Sequence, residues 1–517
     1  MSKWYLLTGG AVIALTSCTV GPNFHQPPPP TTSTYYHPDD GTSSANDQST
    51  QTGRESGAAA AKAESNTLQM GADLPGQWWQ LFKSPILDET LKLALAGSPT
   101  LAQATATLAQ AREQVLAAQG TLFPHASGSA DVQRSGSSAA PKASPVGTQY
   151  TMGLSASYAL DAFGGTRRTV EQQRALAEMQ RYQLAAAYLT LTGSVVSNAL
   201  SIASARLQIA TTEELIADDR QNLALTQREF ELGAAARTAV LTAESQLATD
   251  LTSLPPLRQQ LGIARDALTV LVGRAPADWT SPDFDIEQFV LPPQLPVSLP
   301  SQLVRHRPDV LASEAQLHSA TAAVGIAIAQ EFPSVTLTAA VSRSALNAGG
   351  LFHNFDSQWN GGGGLTAPIF EGGTLRAQAR AARDALQAQA SAYKGVVLEA
   401  LGQVADDLRG LDNDAAHLSV SQHALEISME SLKLQRVSYT EGKTTVLQLI
   451  DAERTYAQAK LGLATARIQQ FEDTADLLVA LGGGWWEDAD SADQREGSSG
   501  AGWAGEVRGA ATGGRCS

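Results

Sequence analysis

The sequence predicts a mainly α chain that also carries paired β-strands suited to a membrane, assembled from one unit written twice. Three observations carry that prediction. The first is a constant offset. Phe123-Pro124 returns as Phe332-Pro333, 209 residues on (333 − 124), and Pro99/Pro308, Gly233/Gly442, Glu244/Glu453 and Gly273/Gly482 keep the same spacing. An offset held over so long a stretch is a structural duplication, and a repeat this long excludes solenoid arrays with periods of roughly 20–50 residues. The second is a pair of proline-free stretches, Thr166–Leu232 and Thr374–Glu441, dominated by Ala, Leu, Gln and Arg. These are strong helix formers. The third is alternation: Tyr150, Met152, Leu154, Ala156, Tyr158 and Leu160 are separated by small or polar residues. That period of two is the pattern of a strand with one apolar face, suited to a membrane barrel or, alternatively, to a soluble hairpin packed on the helices.

The chain opens on a short secretory signal, residues 1–17, with Lys3 as its one charge and an apolar run from Leu6 to Leu15 too short to span a bilayer. Leu15-Thr16-Ser17-Cys18 resembles a bacterial lipobox, in which Cys18 becomes the lipidated N-terminus; the alternative is an ordinary signal with a chance cysteine. A non-acidic residue after the cysteine, here Thr19, favours the outer membrane under the sorting rule that this resemblance brings. Residues 18–74 then read as an extended linker, proline-rich at Pro27 to Pro30 and otherwise small and polar. The first repeat is assigned to residues 75–284 and the second to 285–484. A Gly-rich acidic tail, 485–517, follows with the second cysteine, Cys516, which reads as incidental.

Within the first repeat the spacing of Ile86, Leu87, Leu91 and Leu95 predicts a helix over Pro85–Ala96. Gly97-Ser98-Pro99 breaks it, and a second helix runs from Thr100 to about Leu122, ended by Phe123-Pro124. Strands follow at Ala126–Arg134 and Tyr150–Leu160. In the second repeat Val335, Leu337, Ala339 and Val341 mark one strand; Trp359, Leu365, Ala367 and Ile369 mark another, across Gly361–Gly364. Gly164-Gly165 and Gly372-Gly373 end the strands and open the two long helices. At 1.5 Å per residue each helix could reach roughly 100 Å. In the second, Leu411, Ala415, Leu418, Leu425, Met429 and Leu432 form a heptad-type seam that calls for coiled-coil packing. Gly233 and Gly442 end these helices. Thr238, and Thr444 or Thr445, are candidate caps for the helices that return to about Gly273 and Gly482. Pro255-Pro256 should kink or split the first return helix; the second has Ala464-Thr465 there.

One chain thus supplies four strands. Membrane barrels take about eight or more, so the chain must oligomerise. The net charge of −15 disfavours nucleic acid as a partner. After the signal no run of about 20 apolar residues exists, so no transmembrane helix is expected. No His-Glu-x-x-His, Gly-x-Ser-x-Gly, Cys-x-x-Cys or P-loop motif is present, and the eight histidines are scattered. The chain is therefore not expected to be an enzyme, and no metal or cofactor is expected beyond the lipid on Cys18. Gly361–Gly364 lies inside a strand pattern and reads as a packing or bending device rather than a phosphate cradle. Asp406-Asp407 reads as a solvated acidic face.

Several stretches in a fixed order resemble one family. They are Cys18-Thr19-Val20-Gly21-Pro22-Asn23-Phe24, Trp78-Trp79 with Leu81-Phe82, Arg307-Pro308-Asp309-Val310, Pro368-Ile369-Phe370-Glu371-Gly372-Gly373 and Leu481-Gly482-Gly483-Gly484-Trp485. Together they are similar to the outer membrane factors, the TolC-like ducts, and within them to the lipidated OprM/NodT-like branch. The resemblance implies a homotrimer with a 12-stranded β-barrel in the outer membrane above an α-helical barrel in the periplasm. Its partners would be outer-membrane lipid, a periplasmic adaptor (membrane fusion protein) and an inner-membrane transporter of the RND type. It would conduct small molecules passively. The alternatives are the duct of a type I protein-secretion system and, from another class, a periplasmic adaptor or scaffold lipoprotein.

The resemblance also places a gate. It puts the turns at Gly233 and Gly442 at the periplasmic tip, with Val240, Leu241, Leu449 and Ile450 in the adaptor-docking region. It puts Asp451, Tyr439, Gln448 and Thr444 at the pore constriction. Three copies of Asp451 would form an acidic ring that favours cations; the bland alternative is a solvated acid on a helix face. Gln448 and Thr444 stand where TolC itself carries an acid and a basic lock residue, and Ala239 stands where it has an acid. Arg237 and Lys443 are the replacement candidates for the lock.

Overall fold

The computed structural model describes residues 19–35, 67–72, 74–137, 144–353 and 355–485. Cys18, the signal segment, the greater part of the linker and the tail from 486 lie outside the described residues. The elements, in chain order, are β1 (Thr67–Met70), α1 (Pro85–Gly97), α2 (Pro99–Gly120), β2 (His125–Ser137), β3 (Ser144–Leu160), α3 (Gly165–Glu231) and α4 (Arg237–Leu271). After these come β4 (Gln294–Val297), α5 (Pro300–His306), α6 (Pro308–Ala329), β5 (Ser334–Ala345), α7 (Gly350–His353), β6 (Asp356–Thr366), α8 (Thr374–Thr440) and α9 (Val446–Ala480). The duplication is visible in these bounds. α2, α3 and α4 return as α6, α8 and α9, each starting and ending 209 residues later (308 − 99, 374 − 165, 446 − 237).

The chain divides into two compact units. The first draws on residues 1–27, 106–182 and 312–395. It holds one antiparallel four-stranded sheet, ordered β2-β3-β5-β6. The two hairpins have equivalent registers, Ala126 opposite Ala156 in one and Val335 opposite Leu365 in the other, and β3 joins them by pairing with β5, Leu154 opposite Val341. Every residue of β6 is exposed. In the same unit Arg168, only 3% exposed, gathers the segment that follows Thr19. Its guanidinium donates to the Val20 carbonyl (3.2 Å) and to Asn23 Oδ1 (2.8 Å) and pairs with Glu171 (2.7 Å). Glu171 also meets His318 Nε2 at 3.0 Å, and Phe24 stacks on that imidazole at 4.4 Å.

The second unit draws on residues 28–105, 183–311 and 396–517. Its aromatic core is Trp78, Phe82, Phe284, Phe289 and Phe471, all essentially buried, with Phe471 lying 6.0 Å from both Phe82 and Phe289. Leu87, Leu91 and Ala94 turn one face of α1 inward; of the residues whose spacing predicted the helix, Ile86 and Leu95 are half-buried, and the parallel pair β1–β4 adds Leu295 and Val297. Burial of such side chains contributes roughly 1.5–3 kcal/mol each.

Several expectations change. β6 ends at Thr366, so Ala367 and Ile369 lie beyond it. Pro368 has no N–H for the ladder, and Ile369 and Phe370 are 97% and 88% exposed. Pro255-Pro256 does not split α4, which runs unbroken from Arg237 to Leu271. The prolines remove the ladder bonds to the carbonyls of Leu251 and Thr252, both exposed and open to water, while buried Leu254, Ala264 and Leu268 hold the helix on either side. Thr238 is not a cap: the N-cap of α4 is Ala236, and that of α9 is Thr445. The heptad seam of α8 is half-buried within one chain, with Leu432 covered and Met429 54% exposed. In α3 one 18-residue stretch reaches a mean hydropathy of 1.2, and half of it is buried in the fold. Val195, Val196, Ala199 and Leu200 in that region are fully covered, as expected of a core helix.

Candidate functional site at the hairpin tips

Both long helices end in the same way. The Gly233 N–H bonds the Phe230 carbonyl and the Ala234 N–H reaches back to Glu229; the Gly442 N–H bonds Tyr439 and Lys443 reaches back to Ser438. These are Schellman closures, which need a left-handed residue after the helix. Gly233 and Gly442 provide it, with φ of +76° and +71°. Sequence placed both turns correctly because only glycine takes that conformation without a Cβ penalty.

Behind the turns, Ala243, Val446 and Ile450 form a small apolar cluster against which Leu223 and Tyr439 pack. Val240 and Leu449 are also buried, whereas Leu241 is 49% exposed. Tyr439 Oη donates to Glu229 Oε1 at 2.5 Å, tying α8 to α3. Burial first, and then the Glu229 carboxylate, push the Tyr439 hydroxyl well above its usual range. The remaining constriction candidates are not drawn into this cluster. Asp451 and Gln448 are exposed. Gln448 Oε1 accepts the Thr445 N–H at 3.1 Å and so is occupied as part of the α9 cap. Thr444 is half-buried, and among the described residues its Oγ1 has no hydrogen-bond partner. Arg237 lies over the Phe230 ring of its own turn at 5.9 Å, and Lys443 pairs with Glu441 of its own turn. Within one chain, neither links the two hairpins.

The links are made about two to four turns above the tip, by residues to which the sequence assigned no such role. Glu453 on α9 is 5% exposed and accepts from Asn222 Nδ2 on α3 at 2.5 Å and from Arg436 on α8 at 3.2 Å. Arg436 also reaches Asp218 on α3 at 3.2 Å. Arg454 on α9 donates to Gln246 on α4 at 3.0 Å, and Gln246 in turn donates to Asp250 at 2.6 Å. Asp250 hydrogen-bonds Asp219 on α3, and burial, Asp250 and then Glu453 raise the Asp219 carboxyl. Two carboxyls can share a hydrogen bond only if one keeps its proton. The one sequence signal for this network was Glu453 at the offset of Glu244, which marked a repeated position without showing what it would meet.

A second carboxyl group cluster lies higher on α8 and α9. Asp414 is 6% exposed and bonds Asp473; burial, then Asp473, raise it. Asp407 does not sit on a solvated face as expected. It lines a cleft of about 330 Å³ with Arg307, Gln403 and Asp476, and burial, then Asp476 and Asp473, push it up to about 6. Its neighbour Asp406 does face solvent. Arg307 closes the cleft floor, bonding Asp309, Gln403 (2.5 Å) and the Ala480 carbonyl (2.9 Å).

Comparison with known proteins fits this architecture. The outer membrane efflux protein family matches residues 90–274 and 299–483, one match per repeat and again 209 residues apart (299 − 90). The pyoverdine export outer membrane protein OpmQ of Pseudomonas aeruginosa is 29% identical over 423 residues, 80% of this chain and 88% of that protein. Nodulation protein T of Rhizobium leguminosarum bv. trifolii is 25% identical over 477 residues, 92% and 96% of the two chains. Among solved structures the outer-membrane channel OprN superposes with a TM-score of 0.78 at 26% identity, over 90% of this chain and 100% of that one. Members of this family are trimeric channels within tripartite efflux pumps and generally lack cofactors. The adaptor or scaffold reading is thereby set aside. A duplicated, mainly α chain with a four-stranded membrane sheet and two long hairpins, this protein belongs to the outer membrane efflux protein family and is an outer-membrane channel that extends into the periplasm, not an enzyme.

Proposed function

We propose that three copies of the chain form the exit duct of an efflux pump for small molecules, anchored by lipid on Cys18, and that the hairpin tips are its gate. A periplasmic adaptor meets the tips at Gly233, Val240, Leu241, Gly442, Leu449 and Ile450, and an RND-type transporter supplies the substrate. The observation that carries the gate assignment is the set of cross-hairpin bonds: Tyr439 to Glu229, Arg436 to Asp218, and Glu453 to Asn222. Each joins one hairpin to the other close to the tip, so each opposes their separation. Among the described residues the exposed Asp451 side chain has no hydrogen-bond or ion-pair partner, in keeping with a place on the pore wall of the assembled tip. Small-molecule export by relatives such as the pyoverdine protein supports the substrate class.

The test is conductance in a planar bilayer. Tyr439→Phe combined with Arg436→Ala should raise single-channel conductance severalfold, and Asp451→Asn should lower preference for cations. If the double variant conducts like the wild type, these contacts do not hold the tip closed.

A further inference from the structure

Histidine aside, the strands of the four-stranded sheet carry four charged side chains, and their signs are sorted by face. They are Asp131 and Arg134 on β2, Arg343 on β5 and Asp356 on β6. Directly paired residues share a face of the sheet. Arg343 stands opposite Met152 and Arg134 opposite Thr148, so both lie on the face of Tyr150, Met152 and Leu154. Asp131 stands opposite Thr151. Asp356 stands opposite Ser344, itself opposite Thr151, so both acids lie on the other face. In a membrane barrel the apolar face meets lipid and the polar face lines the lumen. The two cations are therefore on the lipid side, and the strands put no acid on that side with them.

Their height is equally specific. Arg134 and Arg343 are equivalent at the offset of 209 (343 − 134), each eight residues above Ala126 or Val335 near the foot of its strand (134 − 126, 343 − 335). Eight residues of a strand tilted by about 40° rise roughly 20 Å, close to the top of an apolar band about 25 Å tall. The long helices leave from the foot of the strands and extend into the periplasm, so the end that carries the arginines faces outward. An arginine on the lipid face is costly at the midplane and tolerated near the interface, where its long stem lets the guanidinium reach the headgroups. Aromatic side chains mark the same level. Trp359 lies opposite Val341 on this face and is 83% exposed, and Tyr150 lies opposite Val132. The Arg343 guanidinium lies over the Phe355 ring at 4.2 Å, which holds it at the outer end of its hairpin. Both arginines are exposed, and among the described residues neither has an ion-pair partner. A guanidinium at a membrane interface with no acid beside it is a partner for phosphate, which it takes through paired, charge-assisted hydrogen bonds.

We infer that Arg134 and Arg343 dock the phosphates of a phosphorylated glycolipid of the outer leaflet, whose acyl chains lie on the apolar face below them. Neither the gate nor the transported substrate enters this assignment. The test is native mass spectrometry of the full-length protein in mild detergent, titrated with diphosphoryl lipid A. The wild type should take up this lipid at about tenfold lower concentration than the same lipid stripped of its phosphates, the equivalent of one net charge-assisted hydrogen bond. That comparison needs no variant. Arg134→Gln with Arg343→Gln should lose the preference, and Arg134→Lys with Arg343→Lys, which keeps the charge, should retain most of it. Asp131→Asn with Asp356→Asn, on the opposite face, should leave it unchanged. Inorganic phosphate should compete poorly, because it lacks the chains. Equal uptake of the two lipids by the wild type, or an undiminished preference in the glutamine variant, overturns the assignment. Full displacement of the lipid by inorganic phosphate would make this a free-anion site and overturns it as well.

Discussion

The two repeats share a backbone plan and differ in where they bury acid. In the first, the long helix and its return helix meet through Asp219 and Asp250; the second repeat has Ser428 and Ala459 at those positions. In the second repeat the meeting is between Asp414 and Asp473, where the first has Ala205 and Ala264. Each repeat therefore carries one proton-sharing carboxyl pair, set at a different height. Duplication preserved helix length, turn and register to the residue, because each is fixed by backbone closure and by the apolar spacing. The polar contacts between the two helices of each hairpin were free to diverge, since a pair of alanines or a protonated pair of aspartates both fill the gap between close helices.

The sharpest break of this comparison is Ala205→Asp alone. It places at a fully buried site of the first repeat the acid that the second repeat carries, without its partner. An uncompensated buried carboxyl should cost about 3–5 kcal/mol, read as a lowered thermal midpoint of the detergent-solubilised protein. Adding Ala264→Asp should recover part of the loss; no recovery would mean that the pair is not transplantable.

Next is the pH dependence. The Asp219 and Asp414 carboxyls are each raised from 3.8 to about 7 by burial and by the paired acid. The folded state then holds protons that the unfolded chain has already released. Stability falls as pH rises from the ordinary aspartate value of 3.8 to about 7, and the contribution is fully present only below 3.8. Melting at pH 5 and pH 8 should show a clear drop in the wild type. Asp219→Ala with Asp414→Ala, which removes the raised acid from each repeat, should flatten it; an unchanged slope would place the titrating groups elsewhere.

A smaller effect is expected at the tips. Tyr439→Phe gives the second hairpin the ring that the first already has in Phe230, and removes the bond to Glu229. The loss should be about 1.5–3 kcal/mol of local closure, as for a hydrogen bond to a charged group, and is read as faster amide exchange of residues 438–446. Phe230→Tyr should leave exchange there unchanged. Smallest is Pro255→Ala with Pro256→Thr, which copies Ala464-Thr465 into α4. Two restored ladder bonds on an exposed stretch should raise stability by about 1 kcal/mol, and a loss instead would show that α4 needs its prolines.

The long helices were legible because a proline-free run ending in glycine admits one reading. α3 and α8 start and stop within a residue of the expected bounds. The return helices were less so: Pro255-Pro256 looks like a break to any local rule, and only buried Leu254 and Leu268 on either side keep α4 whole. The end of β6 was missed because Ile369 continues the alternation although Pro368 cannot continue the ladder. At the tips sequence found the turns and the ring of Tyr439, but Gln448 as a cap and Asn222, Arg436 and Glu453 as a bridge depend on which helix faces which. Asp407 is the clearest case. One helix face looks solvated until Asp473 and Asp476 arrive from another helix.

The cradle around Arg168 has a consequence for the order of folding. The segment Val20–Asn23 is made well before its partners: the guanidinium that holds it lies 145–148 residues later, and Gly21 packs on Gly325, later still. Closing loops of that length carries an entropic cost that must be met before these contacts form. This segment is therefore among the last parts of its unit to lock, and it can do so only once the chain has been made as far as Gly325 in the second repeat.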